Sequence, residues 1–136
     1  MGGHRQYADR FLGKFRELRH GRLDGPSLRL AVRDQGDENE GLLVRYLRAG
    51  TVLAVTASSV PDVLSSSEEP VAHLALLTDG QWFWYTDLAY YVAQYHVRLD
   101  DRFVERVQSF GGTPPTVNPA ELAALEETLL GATDDK

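Results

Sequence analysis

Four histidines, His4, His20, His73 and His96, are the side chains in this chain best suited to acid–base or metal chemistry, and they lie far apart in sequence. None belongs to an HExxH or His-x-His arrangement, so the spacing supplies no metal set. The absence of cysteine removes thiolate ligands, disulfides and cysteine nucleophiles. No GxSxG elbow, glycine-rich phosphate loop or dinucleotide fingerprint occurs. Carboxylates are paired at Glu68-Glu69 and Asp100-Asp101, but neighbours in sequence point apart on a regular element, which spoils them as acid–base couples. His73, on a strand near Asp79 or Asp87, is the histidine with a conceivable orienting acid. A hydrogen-bonded structural histidine beneath an aromatic face is the more economical reading. The residues therefore assign no catalytic group, no metal and no cofactor, and the chain reads as a binding protein, not an enzyme.

Charge says more about partners. The net charge is −6, with ten Lys or Arg against seven Asp or Glu in residues 1–50 and four against thirteen in residues 51–136. No cation falls between Arg48 and Arg98, where Asp62, Glu68, Glu69, Asp79 and Asp87 lie. Such a surface repels phosphate backbones and attracts basic proteins, although acids also serve solubility alone. Nucleic acid is further disfavoured because the aromatic stretch that would stack bases carries no Lys or Arg of its own. The candidate partner-binding residues are Asp62, Glu68 and Glu69 in a loop rich in Ser, Pro and acid, Asp79 at a hairpin tip, and Trp82 or Trp84 as an aromatic anchor. No apolar run approaches the ~18–20 residues of a membrane span, and MGGHRQYADR lacks a secretory apolar segment, so a cytoplasmic protein without membrane contact is expected.

The elements that must position these residues are legible from periodicity. At 136 residues, with 132–136 as a frayed tail, one α+β domain is expected over residues 1–136: an antiparallel sheet of about three strands packed by four to five helices. Seven of the thirteen aromatic residues fall between Trp82 and Tyr95, around a hairpin of about 71–77 and 81–86. Asp79-Gly80 is its expected two-residue turn. Leu77 would then face Trp82, Leu76 Phe83, Ala75 Trp84 and Leu74 Tyr85. One face would carry Leu74, Leu76, Phe83 and Tyr85 as the main core. The other, with His73, Ala75, Leu77, Trp82 and Trp84, would be left for a partner or a second helical layer.

Before the hairpin, Tyr7, Phe11, Phe15 and Leu18 have the spacing of an amphipathic helix from about Arg5 to His20. Leu28, Leu30 and Val32 alternate as in a strand, but Pro26-Ser27 also suits a helix start, which is slightly preferred. Asp37 and Glu40 have capping-box spacing before a helix of about Glu38 to Ala49. TVLAVTA, 51–57, is a strand, and SSVPDVLSSSEEP a long loop. After the hairpin, helices are expected from about Thr86 to His96, after Asp100 as N-cap, and after Asn118-Pro119 with Leu122, Leu125 and Leu129 as its apolar edge.

The blocks YLRAGTVLAVT, LLTDGQWFW and DLAYYVAQYHVRLDDRFV, within Leu43 to Phe103, resemble a family of small actinobacterial immunity proteins of polymorphic toxin systems. In that family a Tyr-Leu-Arg-x-Gly-Thr block precedes a Thr-Asp-Gly-x-Trp-x-Trp hairpin and a Leu-x-Tyr-Tyr-Val helix. This chain has Tyr85 and Asp101 at two positions where the pattern has Pro. The resemblance implies a cognate toxin as partner, of nuclease or deaminase type, whose basic active site the acidic chain occludes; it implies no catalytic residue. The alternative is a small-ligand or regulatory binding domain using the Trp82/Trp84 face.

Overall fold

The sheet is built from β1 (Thr51–Pro61), β2 (Pro70–Thr78) and β3 (Phe83–Tyr85), antiparallel and in the order β1-β2-β3. The computed structural model describes residues 10–131. Among the described residues five α-helices accompany the sheet: α1 (Leu28–Ala31), α2 (Glu40–Arg48), α3 (Asp87–Tyr95), α4 (Asp101–Ser109) and α5 (Pro119–Glu126), the last widening into a π-helical turn at Glu127–Gly131. The α+β class, the three strands and the helix count follow the sequence reading. Local caps explain several starts. Ser27 accepts from Leu30 N, Asp100 from Arg102 N and Asn118 from Glu121 N, each satisfying a helical N–H that otherwise lacks a partner. The capping box at Asp37 and Glu40 does not form; Asp37 instead accepts Asn39 N in a local turn (2.9 Å).

Two expectations about the sheet change. β1 runs past Ala57 to Pro61, because the Thr56 hydroxyl donates to Leu74 O (2.9 Å) and accepts Ser58 N (3.1 Å) across an irregular step between Val55 and Ser59. Pairing then resumes at Ser59↔His73, and the loop shrinks to 62–69. The hairpin is also slipped: Thr78 pairs with Phe83, Leu77 with Trp84 and Leu76 with Tyr85. Asp79 to Trp82 make a four-residue loop in place of a two-residue turn. The Asp79 carboxylate accepts both Gln81 N (2.9 Å) and Trp82 N (2.8 Å), and positive φ is needed at Gly80 alone.

A slip of two residues leaves each side chain on its expected face, but the faces trade roles. Leu77, Trp82 and Trp84 join the larger core, with Leu43, Tyr46 and Leu47 of α2, Leu88 and Val92 of α3, and Phe103 of α4. Leu76 and Phe83 pack with Leu53, Val117, Leu125 and Leu129 in a smaller core. The Trp face is thus the centre of the protein, covered by a helical layer that buries Trp82 and Trp84. Close packing there accounts for Gly50: a Cβ at this position would lie 2.6 Å from Trp84 Cζ2. Gly50→Ala is expected to lower stability by about 1–3 kcal/mol through overpacking. Gly41→Ala, in α2 with nothing near its Cβ, should raise it by ~0.5–1 kcal/mol; urea unfolding of both variants checks the contrast.

The amphipathic helix expected over 5–20 does not form in the described part of that segment. Phe11 bridges Phe83 in parallel, Leu12 N donates to Phe83 O (2.8 Å), and Gly13 takes φ +73. Pairing alongside β3 gives this backbone a partner in place of helical bonds, and Leu12, Phe15 and Leu18 are buried all the same. Tyr7 and the helix start fall outside the described residues, as does the expected tail.

Glu17 then ties this irregular segment to α1. Its carboxylate accepts Ser27 Oγ (2.8 Å), Leu28 N (2.6 Å) and Arg29 N (3.3 Å). Burial works to raise its pKa, but these bonds outweigh that and hold it down to about 2, against an ordinary 4.5. A carboxyl depressed in the folded state contributes stability that is present above the unfolded value and is lost as pH falls through the folded one. Glu17→Gln is therefore expected to flatten the decline in urea midpoint between pH ~4.5 and ~2. An unchanged acid slope would show that Glu17 does not carry it.

Candidate functional site

The six candidate binding residues separate into two groups. Glu68 and Glu69 are exposed in the loop. Asp62, Asp79, Trp82 and Trp84 are buried, and each has a structural partner that explains why. Asp79, 2% exposed, accepts the Tyr46 hydroxyl and Arg106 Nε (2.7 Å) on Oδ2 and its loop N–H groups on Oδ1. Asp62 Oδ2 accepts the hydroxyls of Tyr90 (2.8 Å) and Tyr95 (2.6 Å), while its Oδ1 accepts Leu64 N. The bond to Asp62, with burial second, pushes Tyr95 up to about 12. Trp84 Nε1 donates to Leu47 O (2.9 Å). As folded, these four do not meet a partner: the expected aromatic anchor is core, Asp79 closes the hairpin loop from inside, and Asp62 pins the start of the acidic loop.

What remains at the surface is a segregation of charge. No Lys or Arg occurs from Ala49 to Val97 or from Val107 to Gly131, and these stretches supply all three strands, α3 and α5. α5 packs against β1, bringing the two stretches together. Glu121, Glu126 and Glu127 are exposed on α5 and its extension, as are Glu68 and Glu69 in the loop. β1 is an edge strand and exposes Val52 (48%) and Val55 (68%). Acids beside an apolar strand edge are suited to a basic protein surface.

The described arginines gather elsewhere. Arg16, Arg33 and Arg98 surround an apolar groove of about 710 Å3 floored by Leu12, Phe15 and Leu99. Arg10 and Arg102 stack over the Trp82 ring at 5.2 and 5.3 Å, near Arg106. The aromatic stretch thus acquires in space the cations it lacks in sequence, Arg102 and Arg106 being one helical turn apart on α4. Trp82 is itself 3% exposed and offers no face on which a base could stack.

The histidines also rearrange. His73 is exposed on β2. His96 closes α3 in the left-handed conformation, φ +56, with its Nδ1 2.7 Å from Glu40 Oε2. The acid–base pair that spacing sought at His73 forms at His20, whose Nε2 lies 2.8 Å from Asp87 Oδ2. No local signal marks this pair, since 67 residues separate its members. Among the described residues no group of three or more acidic, histidine or cysteine side chains is placed to hold a metal ion, and no helix is long and apolar enough to cross a membrane.

Compared with protein-family models, with curated proteins and with solved structures, the chain gives no significant match.

Proposed function

We propose that this chain is an immunity protein, an inhibitor without catalysis of its own, which binds a cognate antibacterial toxin in the cytoplasm and occludes a basic active site of nuclease or deaminase type. The observation that carries this reading is the absence of Lys and Arg from the stretches that form the sheet and α5, which carry five exposed glutamates and the exposed valines of an edge strand. An enzyme that acts on nucleic acid must present positive charge to its substrate. A complementary acidic surface competes for that cleft and speeds encounter by long-range attraction. The resemblance of the Tyr-Leu-Arg, Thr-Asp-Gly and Leu-Ala-Tyr-Tyr-Val blocks to immunity proteins supports the same conclusion. The binding residues in this reading are Glu68 and Glu69 from the expected set, joined by Glu121, Glu126 and Glu127. Asp62, Asp79, Trp82 and Trp84 hold the surface in shape from beneath.

The test is association kinetics with the toxin domain encoded beside this chain, at low and high salt. Glu68→Lys/Glu69→Lys and Glu126→Lys/Glu127→Lys are each expected to slow association at low salt by about tenfold or more, with a smaller loss at high salt. Absence of a complex at any salt overturns the reading. A tight complex indifferent to salt and to both double variants takes the interface off this surface.

A further inference from the structure

Residues 10–33 hold seven Lys or Arg against two acids, Glu17 and Asp24. Both acids are engaged within that layer: Glu17 at the start of α1, and Asp24 by Arg22 through two bonds of 3.1 Å. The layer forms much of the 710 Å3 groove, with Leu12 and Phe15 in its floor beside Leu99, and Leu30 and Ala31 of α1 among its walls. Leu30 is 85% exposed, so the apolar lining continues out to the lip.

The cations of the groove are weakly engaged. Arg16 makes one long bond to Gly25 O (3.5 Å), and Arg98 comes only to 3.9 Å from Asp101, with the two side chains 70% and 80% exposed. Arg33 donates from Nε to His96 O (2.7 Å), with Asp37 3.9 Å from its Nη1. Asp100, which also lines the groove, is taken up by Arg102 through its backbone N (2.8 Å) and its guanidinium (2.9 Å). Backbone groups along the groove are paired with one another, Arg16 N with Pro26 O and Arg98 N with Ala31 O. Recognition there falls to side chains.

We propose that this groove docks an acidic segment of a partner protein, with a large apolar side chain of the segment in the groove and flanking carboxylates on Arg16, Arg33 and Arg98. The fork of a guanidinium matches a carboxylate with two parallel bonds, and the recessed aliphatic floor takes the apolar residue between them. Other occupants fit less well. A nucleic acid would need a ring on which to stack, and Phe15 is 5% exposed. A bilayer takes up protruding apolar side chains beneath a basic rim, whereas here the floor lies below the arginines. The alkyl chain of a free carboxylate would be left partly in water by so open a groove, while a peptide buries one side and keeps the other solvated. The docking does not depend on the inhibitor reading, because these arginines repel the basic cleft that the acidic stretches are proposed to meet.

The experiment is a 1H–15N NMR titration of the full chain at low salt with the peptide acetyl-Glu-Asp-Phe-Leu-Asp-Glu-amide. Saturable shifts are expected at the amides of Gly13, Ala31 and Leu99. Peptides with Ser-Ser in place of Phe-Leu, or with Lys in place of the acids, should bind at least about tenfold more weakly. Arg16→Glu/Arg98→Glu, a change of two exposed side chains, should weaken the first peptide by about tenfold or more with an unchanged thermal midpoint. Leu30→Asp, at the lip, is a second variant with the same expected loss. No saturable shift, equal binding of the Ser-Ser peptide, or native affinity in both folded variants overturns the proposal. So does tighter binding of phosphatidylglycerol vesicles or of oligothymidylate that the double Arg variant abolishes. A wild-type dimer that this variant converts to monomer gives the groove to a second copy and overturns it equally.

Discussion

Replacing Asp79 with alanine is expected to lower the free energy of unfolding by about 3–5 kcal/mol, as for breaking a buried ion pair on one side. The carboxylate is in contact with four donors: Tyr46 Oη, Arg106 Nε, Gln81 N and Trp82 N. Alanine would strand the guanidinium of Arg106, whose side chain is 18% exposed, and leave the buried Trp82 N–H and the part-buried Gln81 N–H without their acceptor. Burial, followed by the bond to Asp79, raises the pKa of Tyr46, so its hydroxyl stays protonated and donates throughout the physiological range. Against a total of ~5–15 kcal/mol for a domain of this size, the loss is a large fraction. Asp79→Asn keeps an oxygen for the loop N–H groups and should cost less. In a double-mutant cycle with Arg106→Met, the second substitution should recover part of the loss, because it removes the stranded charge. Urea unfolding of the four proteins measures all of this, and additive effects would mean that the pair is not coupled.

Trp84→Ala carries the other large expectation, a loss of about 3–5 kcal/mol from transfer and cavity terms together. The ring has no solvent exposure and lies 5.6 Å from Phe103 and 6.1 Å from Tyr46, centroid to centroid. It also supplies the hydrogen bond to Leu47 O. Trp84→Phe should lose less, about 1–3 kcal/mol, since much of the aromatic contact remains while the Leu47 carbonyl loses its donor. A truncation this close to Gly50 also opens space there. Combined with Trp84→Ala, Gly50→Ala should therefore cost less than it does alone, a non-additivity that thermal unfolding would detect. Full additivity would mean that the Cβ clash with Trp84 is not what constrains Gly50.

Legibility differed sharply between local and long-range features. Asn118-Pro119 and Asp100 announced their helices because a cap acts on N–H groups two or three residues away. Over the described residues 10–20 the expected helix does not form, for a reason that spacing alone had hidden. Gly13 breaks the turn, and the segment finds a better backbone partner in β3. Among the candidate binding residues, only Glu68 and Glu69 stand where a loop reading puts them. Asp79 read as a hairpin tip because Asp-Gly is a strong turn signal, and nothing nearby in sequence announces that Tyr46 and Arg106 wait for its carboxylate. Asp62 looked like one more loop acid, although Tyr90 and Tyr95 of α3 enclose it.

By itself, then, the sequence determined the α+β class, three strands, the caps at Ser27, Asp100 and Asn118 and the two-faced hairpin. All are consequences of periods of 2.0 and 3.6 and of bonds made within a few residues. The division of side chains between faces survived even the wrong register, because a slip of two residues preserves the alternation. Tertiary structure decided which face became the larger core, which acids were withdrawn from the surface, and that His20 should meet Asp87. Those outcomes depend on which helices cover the sheet and on partners 27 to 67 residues away. Local pattern carries no term for contacts at such separations; they are selected only when the packed chain must satisfy every buried polar group at once.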